Sequence, residues 1–459
     1  MGPSAPTATA PADNQNRRRV VASWRTVLAV STPLILAACG DVFFAPEAPP
    51  LAGERISILS LQQALEPDPQ IADLEVRLPR PWENPEWPQA GGLPDHAMHH
   101  LAFGDAPRRI WRASMGTGSN DVRRVLASPV VAGEKVFALD AVGQVAAVSA
   151  DDGARLWRRD IVPEDEDPGA LGGGVAYDGG VLFVGSGYGE VIALDATTGN
   201  ELWRRRIGIP LRGAPTIRDG RLFVISYDNQ LHALSREDGS VLWTYVGIAE
   251  TAALLGAASA AAGGELVVAP FSSGELVALR ADNGRVVWSD SLARTGQLTS
   301  LSELSDINGR PIIDRGVVYA ISHAGRMIAT DLRTGARLWT QNIGGIESPW
   351  VAGDFIYLIT NDSELVALSR RDGRVRWVSE LQSFRDPEKR TGPITWTGPV
   401  LASDRLILTS SSGQAIAVSP YTGKLLGTLD LPGGVFVGPV LAGGTLFILT
   451  DDAELLAYR

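Results

Sequence analysis

The sequence contains one cysteine among 459 residues, which excludes a disulfide within a single chain. It has no apolar run that approaches the roughly 20 residues of a transmembrane helix. Positive charge is also scarce, since 41 Lys and Arg stand against 52 Asp and Glu, for a net charge of −11. This balance argues against a nucleic-acid partner, because phosphate binding requires a basic surface. Hydrophobic residues (45%) and glycine (50 residues) are plentiful, so the chain can bury a large core.

The single cysteine ends a segment that is typical of a bacterial lipoprotein signal. A basic region with four arginines (17–25) is followed by an apolar stretch that ends in Leu-Ala-Ala, directly before Cys39. This order predicts that residues 1–38 are removed as a signal peptide and that Cys39 is acylated. The alternative is an ordinary signal peptide with an incidental cysteine. Gly40, in place of the aspartate that retains lipoproteins in the inner membrane, favours the outer membrane, with the chain facing the periplasm.

Eight strand-length apolar segments repeat along the chain at spacings of 38 to 51 residues, each with alanine in the fifth place. Six residues after seven of these alanines stands a glycine, and four residues further on, in six repeats, stands a tryptophan. The alanines are Ala147, Ala193, Ala233, Ala278, Ala329, Ala367, Ala417 and Ala457. The glycines are Gly153, Gly199, Gly239, Gly284, Gly335, Gly373 and Gly423, and the tryptophans are Trp157, Trp203, Trp243, Trp288, Trp339 and Trp377.

Each period contains four short strands separated by turn residues, which is typical of a β-propeller blade of about 45 residues. The glycine supplies the positive φ that a tight turn requires. The small alanine leaves room for a flat indole that wedges between neighbouring blades. The seventh repeat has Gly427 where the others have tryptophan.

The last repeat stops at Arg459 without the turn glycine and the tryptophan strand, and a further tryptophan, Trp111, precedes the first complete repeat. We therefore predict that residues near 107–115 supply the outer strand of the eighth blade and pair with the C-terminal strand. The predicted fold is all-β: an eight-bladed propeller of four-stranded antiparallel blades over residues 107–459, closed by its N-terminal and C-terminal strands.

Residues 39–106 are predicted to form a lipidated N-terminus and a proline-rich tether, with Trp82 or Trp87 docked on the ring. The histidines within Asp95–His100 could bind Zn²⁺ or Cu²⁺, but they precede the first strand and lack a framework, so an exposed polar turn is the preferred interpretation. The acidic run Glu164–Asp167 lacks the spacing of an EF-hand. We predict no catalytic residue, no metal site and no cofactor.

The repeat Ala193–Trp203, echoed at Ala329–Trp339, resembles the tryptophan-docking repeat of pyrroloquinoline-quinone (PQQ) dehydrogenases. Two families carry this repeat: the quinoprotein alcohol and glucose dehydrogenases, and the BamB lipoproteins of the outer-membrane β-barrel assembly machinery. The first resemblance would imply PQQ and Ca²⁺ over the ring axis, with a catalytic aspartate and often a vicinal cysteine pair. The single cysteine and the minimal blades argue against it.

The chain is more similar to the BamB family in its signal, its eight repeats, its closure and two loop segments. Residues Ile209–Thr216 resemble the family's Leu-x-Leu-Arg-Gly segment, and Leu301–Asn308 resemble its Leu-Ser-Asp-x-Asp segment. In the family these loops face the periplasmic POTRA domains of the barrel protein BamA. The resemblance therefore implies a partner contact through Ile209, Leu211, Arg212 and Asp306. Two departures weaken individual matches, since Ile209 replaces a leucine and Asn308 an acid.

The resemblance implies a non-catalytic scaffold lipoprotein, held at the periplasmic face of the outer membrane by its lipid alone. It would bind BamA and other subunits of the machinery and help nascent outer membrane proteins to fold and insert. Three alternatives remain: a pairing of Arg212 with Asp306 inside the ring, a periplasmic propeller that binds another protein or a glycan, and a PQQ-dependent dehydrogenase.

Overall fold

The computed structural model describes residues 65–250, 254, 256, 258–293 and 305–459. The predicted signal peptide and Cys39 lie outside the described residues. Within these ranges the chain forms eight four-stranded antiparallel sheets, one two-stranded hairpin and a short 3-10 helix, Pro69–Ile71. The predicted eight-bladed all-β propeller is thereby confirmed. No helix in the described part of the chain is long and apolar enough to cross a membrane.

Every blade takes four strands in antiparallel order, and the first strands of several consecutive blades contact one another around the ring axis. The strands are β1 (Arg109–Ser114); in blade 1, β2 (Val130–Ala132), β3 (Lys135–Leu139), β4 (Gln144–Ser149) and β5 (Arg155–Asp160); in blade 2, β6 (Gly173–Asp178), β7 (Val181–Ser186), β8 (Glu190–Asp195) and β9 (Glu201–Arg206); in blade 3, β10 (Thr216–Arg218), β11 (Arg221–Ile225), β12 (Gln230–Ser235) and β13 (Val241–Val246); in blade 4, β14 (Ala261–Gly263), β15 (Leu266–Pro270), β16 (Glu275–Arg280) and β17 (Val286–Ser291). There follow, in blade 5, β18 (Ile312–Asp314), β19 (Val317–Ser322), β20 (Arg326–Asp331) and β21 (Arg337–Gln341); in blade 6, β22 (Trp350–Ala352), β23 (Phe355–Ile359), β24 (Glu364–Ser369) and β25 (Val375–Glu380); the hairpin β26 (Phe384–Asp386) and β27 (Thr391–Pro393); in blade 7, β28 (Trp396–Ala402), β29 (Arg405–Ser410), β30 (Gln414–Val418) and β31 (Leu425–Asp430); and in blade 8, β32 (Val440–Ala442), β33 (Thr445–Leu449) and β34 (Glu454–Tyr458).

The repeated alanine, tryptophan and glycine hold neighbouring blades together. In blade 1, Ala147 of β4 lies opposite Trp157 of β5, and its lack of bulk leaves space for the indole. The indole then reaches blade 2, where its Nε1 donates a hydrogen bond to the Ala196 carbonyl oxygen (3.1 Å). A Cβ added to Gly199 would stand 2.7 Å from the Trp157 ring, so glycine is required for this contact as well as for its φ of +73°. The predicted role of the repeat is confirmed.

The ring closes where β1 pairs with the C-terminal strand β34. Trp111 of β1 lies opposite Ala457, the same register that joins tryptophan to alanine within blades 1 to 6. Its Nε1 donates a hydrogen bond to the Ala150 carbonyl oxygen of blade 1 (3.3 Å). Blade 8 therefore combines strands from the two ends of the propeller, as predicted, and no seam remains between blades 8 and 1.

The predicted tether is contradicted for residues 65–106, which pack against the ring and belong to its compact unit. Residues 79–103, hereafter the belt, cross the inner strands. Successive belt residues meet the blades in their order around the axis: Asn84 contacts Leu441 of blade 8, Trp87 contacts Val131 of blade 1, Pro88 contacts Tyr177 of blade 2, Gln89 contacts Ile217 of blade 3, Pro94 contacts Ala262 of blade 4, Asp95 contacts Ile313 of blade 5, His99 contacts Trp350 of blade 6, and Leu101 contacts Leu401 of blade 7.

The belt forms because each innermost strand is a sheet edge with free backbone groups, and an extended segment satisfies them. Apolar belt side chains then fill the axis: Trp87 is 4% exposed and Leu101 is fully buried. Trp87 stacks on Trp350 of blade 6 at a ring distance of 6.3 Å. The predicted docking of Trp87 on the ring is thus observed, whereas Trp82 remains partly exposed.

The exposed polar turn predicted for Asp95–His100 is wrong, because the belt buries two of its histidines. His96 Nδ1 donates to the Pro311 carbonyl oxygen (2.7 Å), and His100 Nδ1 donates to that of Pro79 (2.7 Å). His100 Nε2 also accepts a hydrogen bond from the Asp404 amide (2.9 Å). These nitrogens hold the belt in place, and the described residues contain no cluster of three His, Cys, Asp or Glu that could hold a metal ion.

The antiparallel strand order divides the connections between two faces of the ring. The loops between consecutive blades and those between second and third strands lie on one face, hereafter the loop face. The remaining turns lie on the opposite face. The belt approaches this opposite face, where Asn84 and Leu101 accept hydrogen bonds from the amides of Gly443 and Ser403.

Candidate functional site

Three consecutive loops of the loop face meet at one buried carboxylate. Arg212 lies in the loop between blades 2 and 3, and its Nη2 donates to Oδ1 of Asp306, in the loop between blades 4 and 5, at 2.7 Å. The Leu254 amide, between blades 3 and 4, donates to Asp306 Oδ2 at 2.9 Å. The Arg212 and Asp306 side chains are at most 1% exposed. The carboxylate therefore fixes the loops around blades 3 and 4 relative to one another.

The backbone around Arg212 is held to the two blades that it connects. The Leu211 amide donates to the Ser186 carbonyl oxygen of blade 2 (3.2 Å), and the Arg212 amide donates to that of Ile225 in blade 3 (2.8 Å). Gly172 allows this approach, since a Cβ there would stand 2.3 Å from the Leu211 carbonyl oxygen. Residues 211–217, which lead from the loop into β10, are all buried, so this end of the loop is packed against the blades.

The ion pair lies in an environment that shields it from water. Among the described residues, Nε and Nη1 of Arg212 have no hydrogen-bond partner. Burial raises the pKa of the neighbouring Tyr227 hydroxyl; Asp306 adds to this rise and Arg212 opposes it. Because both side chains are almost fully buried, loss of one partner would leave the other uncompensated in a low dielectric.

Exposed aliphatic side chains lie in the loops on both sides of blade 3. Ile209 is 39% exposed, Val246 is 65% exposed and Ile248 is 58% exposed, and Pro210 beside them is exposed as well. These four residues are hereafter the Ile209 patch. Pro210 and Ile248 flank the same turn of blade 3, because their carbonyl oxygens accept hydrogen bonds from the Tyr227 amide (2.9 Å) and from Asn229 Nδ2 (2.7 Å).

Of the four residues predicted to contact a partner, the structure exposes Ile209 and buries Leu211, Arg212 and Asp306. The alternative, a pairing of Arg212 with Asp306 inside the ring, is what the structure contains. A direct partner contact of the three buried residues stays a prediction. Four residues of the similar segment, Leu301–Leu304, lie outside the described residues.

Val246 and Ile248 were missed from the sequence, although a signal for Val246 was present. Three residues after the docking tryptophan, the other strands carry polar residues. Seven strands carry this tryptophan. Only the strand in blade 3 has an aliphatic residue, Val246, three positions after it. The polar equivalents are Ser114, Asp160, Arg206, Ser291, Asn342 and Glu380. A solvent-facing position that departs from the repeat in this way indicates a surface that contacts another molecule.

The ring axis offers little space for a cofactor. The cavity there has a volume of about 40 Å³ and is bounded by the belt residues Trp87, Gly91 and His96 on one side. Sites for small molecules and cofactors usually have volumes of about 300–1,000 Å³. The described residues on the axis therefore do not fit a three-ring cofactor such as PQQ, because the belt occupies the space.

Comparisons with known proteins point to the same family by family model and by individual relatives. A family model described as outer membrane protein assembly factor BamB matches residues 141–379, which include Ile209, Arg212 and Asp306. The BamB of Alkalilimnicola ehrlichii is 32% identical over 80% of this chain and 91% of its own length. The BamB of Escherichia coli strain K12 is 27% identical over 76% of this chain and 88% of its own.

Solved structures share the propeller at lower identity. The crystal structure of BamB from Moraxella catarrhalis superposes with a TM-score of 0.66 at 18% identity, covering 77% of this chain and all of that one. A europium-containing methanol dehydrogenase reaches the same TM-score at 14% identity, covering 82% of this chain and 98% of its own. At these identities the likeness concerns the fold alone.

Proposed function

The chain belongs to the family of the outer membrane protein assembly factor BamB, and we propose that it is a propeller scaffold of the outer-membrane β-barrel assembly machinery that binds the POTRA domains of BamA. Membership of a family of assembly factors agrees with the prediction that the chain is not an enzyme. Through this contact, and contacts with other subunits, it would assist nascent outer membrane proteins to fold and insert.

The observation that carries the proposal is the Ile209 patch, an exposed aliphatic surface on a rigid base. Its loops are fixed by the buried Arg212–Asp306 pair, so little conformational entropy is lost when a partner binds. Exposed aliphatic side chains at fixed positions are the kind of residues that a partner domain can bury. We assign the contact with the partner to Ile209 and Ile248. Arg212 and Asp306 are assigned the role of positioning the loops that carry them.

The proposal includes a lipid anchor at Cys39 and a location at the periplasmic face of the outer membrane. Support comes from the basic, apolar and Leu-Ala-Ala segments before Cys39. Mass spectrometry of the N-terminal peptide of the purified protein tests this assignment. We expect a peptide that begins at an acylated Cys39. An unmodified cysteine would contradict the proposed lipid anchor.

Co-purification from detergent-solubilised outer membranes tests the partner. The full-length tagged chain should recover BamA, and Ile209→Glu should reduce this recovery by roughly 10-fold or more, because burial of an isoleucine side chain contributes about 1.5–3 kcal/mol. Leu338→Glu is the matched control, since Leu338 is 54% exposed on β21 of blade 5, away from the patch.

Three results would count against the proposal in different ways. Absence of BamA from the wild-type preparation would contradict the partner. Equal recovery with Ile209→Glu and Leu338→Glu would place the contact away from the Ile209 patch. Loss with both variants would indicate a general effect of added charge.

A further inference from the structure

The cavity on the ring axis contains one cationic side chain. It lies between the belt and the loop-face ends of the inner strands of blades 1 and 5 to 8, and its ionisable lining residues are His96, Arg310 and Glu347. Because the belt occupies the axis on the opposite side, the approach to this cavity is from the loop face. His96 lies fully within the protein and its pKa is lowered to about 3 by burial, with Arg310 contributing, so it is neutral.

Arg310 has no counter-ion in direct contact. Among the described residues, no carboxylate forms an ion pair with its guanidinium; the Arg310 residue is half-buried, and its Nε is buried without a hydrogen-bond partner. The Arg310 amide donates to Ser348 Oγ (2.9 Å), which fixes the position of the backbone. Burial lowers the pKa of Arg310, and Glu347 opposes this effect. A buried N–H without a partner, such as Arg310 Nε, gains free energy from an acceptor that reaches it.

Two neighbours shape the space around Arg310. Gly91 of the belt admits the side chains, since a Cβ there would stand 2.8 Å from His96 Cδ2 and 3.3 Å from Arg310 Nε. Glu347 is the carboxylate whose charge acts on the pKa of Arg310. Burial, however, raises the pKa of Glu347 itself to about 7. Burial thereby favours the neutral form of the Glu347 carboxyl, which makes it a weaker counter-charge for Arg310.

We propose that the axial cavity binds a compact oxyanion of the carboxylate type, with Arg310 as its principal ligand. A volume of about 40 Å³ holds roughly three water molecules, since one water needs about 10–15 Å³. This is the size of a carboxylate group. The planar guanidinium presents two parallel N–H donors to such a group. The ligand is either a free carboxylate anion or an acidic side chain of a protein that docks on the loop face.

Titration with sodium acetate tests the site directly. The full-length chain in detergent is held at constant ionic strength with sodium chloride, and binding is followed by thermal denaturation and by saturation-transfer NMR of acetate. We expect a saturable rise in Tm for the wild type. Arg310→Gln should weaken acetate binding about 10-fold or more, because hydrogen bonds to a charged group are stronger than those between neutral groups.

Two further variants complete the experiment: one should strengthen acetate binding, and the other is a control that should leave it unchanged. Glu347→Gln removes the competing carboxylate and should strengthen acetate binding several-fold. Arg333→Gln removes an exposed arginine from a turn on the opposite face and should change nothing. If Arg310→Gln does not fold, Arg310→Lys replaces it, with binding that is weaker than wild type but measurable. Equal acetate responses in wild type, the Arg310 variant and Glu347→Gln would overturn the proposal and indicate water in the cavity.

The source of the carboxylate is distinguished by co-purification. If an acidic side chain of a partner enters the cavity, Arg310→Gln lowers the recovery of that partner and acetate competes with it. If the ligand is a free anion, recovery is unchanged while acetate binding is lost. Either result supports the site. The acetate titration needs no partner, so its outcome is independent of the proposed scaffold function.

Discussion

Replacing Arg212 with methionine would separate the charge of the buried ion pair from the volume of its side chains. In Arg212→Met the Asp306 carboxylate keeps the Leu254 amide as a donor but loses its counter-ion. Breaking one side of a buried pair costs about 3–5 kcal/mol, and Asp306→Leu should cost a similar amount. The double variant leaves no buried charge, and an apolar replacement of similar volume is often neutral or stabilising. We therefore expect the double variant to be close to wild type.

The assay is urea unfolding followed by tryptophan fluorescence, comparing variants that share one dependence on denaturant. The four stabilities form a double-mutant cycle, and two single losses of about 3–5 kcal/mol with a double variant near wild type give a coupling free energy of about 6–10 kcal/mol. Independent sites agree with additivity to within about 0.5 kcal/mol. An unchanged midpoint in Arg212→Met, or additive single variants, would refute the assignment of a shielded pair. Arg212→Glu is a poor test of the interface, because it would place a second carboxylate beside Asp306.

Recovery of BamA with the same variants distinguishes two roles of the ion pair, stabilising the ring and positioning the Ile209 patch. If Arg212→Met with Asp306→Leu is stable and still recovers BamA, the pair stabilises the ring without positioning the Ile209 patch. If the stable double variant loses BamA, the geometry of the loops depends on the pair. A cycle in stability alone would not make this distinction.

Two further predictions concern the stability of the propeller, one for a docking tryptophan on an outer strand and one for a histidine of the belt. Trp339→Ala should destabilise the propeller by about 3–5 kcal/mol in urea unfolding, because the indole is 8% exposed and donates to the Arg370 carbonyl oxygen (3.0 Å). The adjacent, exposed Leu338→Ala should cost far less, and equal losses would remove the docking role. His96 titrates at pH 6.5 when unfolded and at about 3 in the ring, so the unfolded chain binds more protons in this window. Stability should therefore be present above pH 6.5 and fall as the pH is lowered towards 3, by at most about 1.4 kcal/mol per unit. His96→Gln should lose this part of the dependence, and parallel pH profiles would contradict a buried neutral imidazole.

Much of the ring was predictable because its determinants are local and repeated. Ala147 and Trp157 are ten residues apart in the sequence and opposite each other in the sheet, and the same offset recurs in five further blades. The unpaired Trp111 then indicated how the circle closes, since a blade without its outer strand leaves a free edge. Ile209 was identified by resemblance, and the structure keeps it on the surface.

The belt was mispredicted because its sequence resembles an unfolded linker when it is considered alone. Prolines and polar residues in 79–103 give no periodic pattern, and the histidines of Asp95–His100 suggest an exposed turn. Their partners lie on eight separate blades, as with His96 and Pro311, which are 215 residues apart. An extended segment becomes ordered here only because a closed ring presents inner strand edges on all sides.

The sequence alone determined the number of blades, the order of their strands and the way the circle closes, because these depend on short-range repeats of alanine, glycine and tryptophan. The tertiary structure alone decided that residues 65–106 join the ring, that Arg212 is internal and that Arg310 faces an axial cavity. The physical reason is that burial of a charged or polar side chain depends on which distant strands surround it. Periodicity fixes where those strands run but does not identify the side chains that meet at the axis.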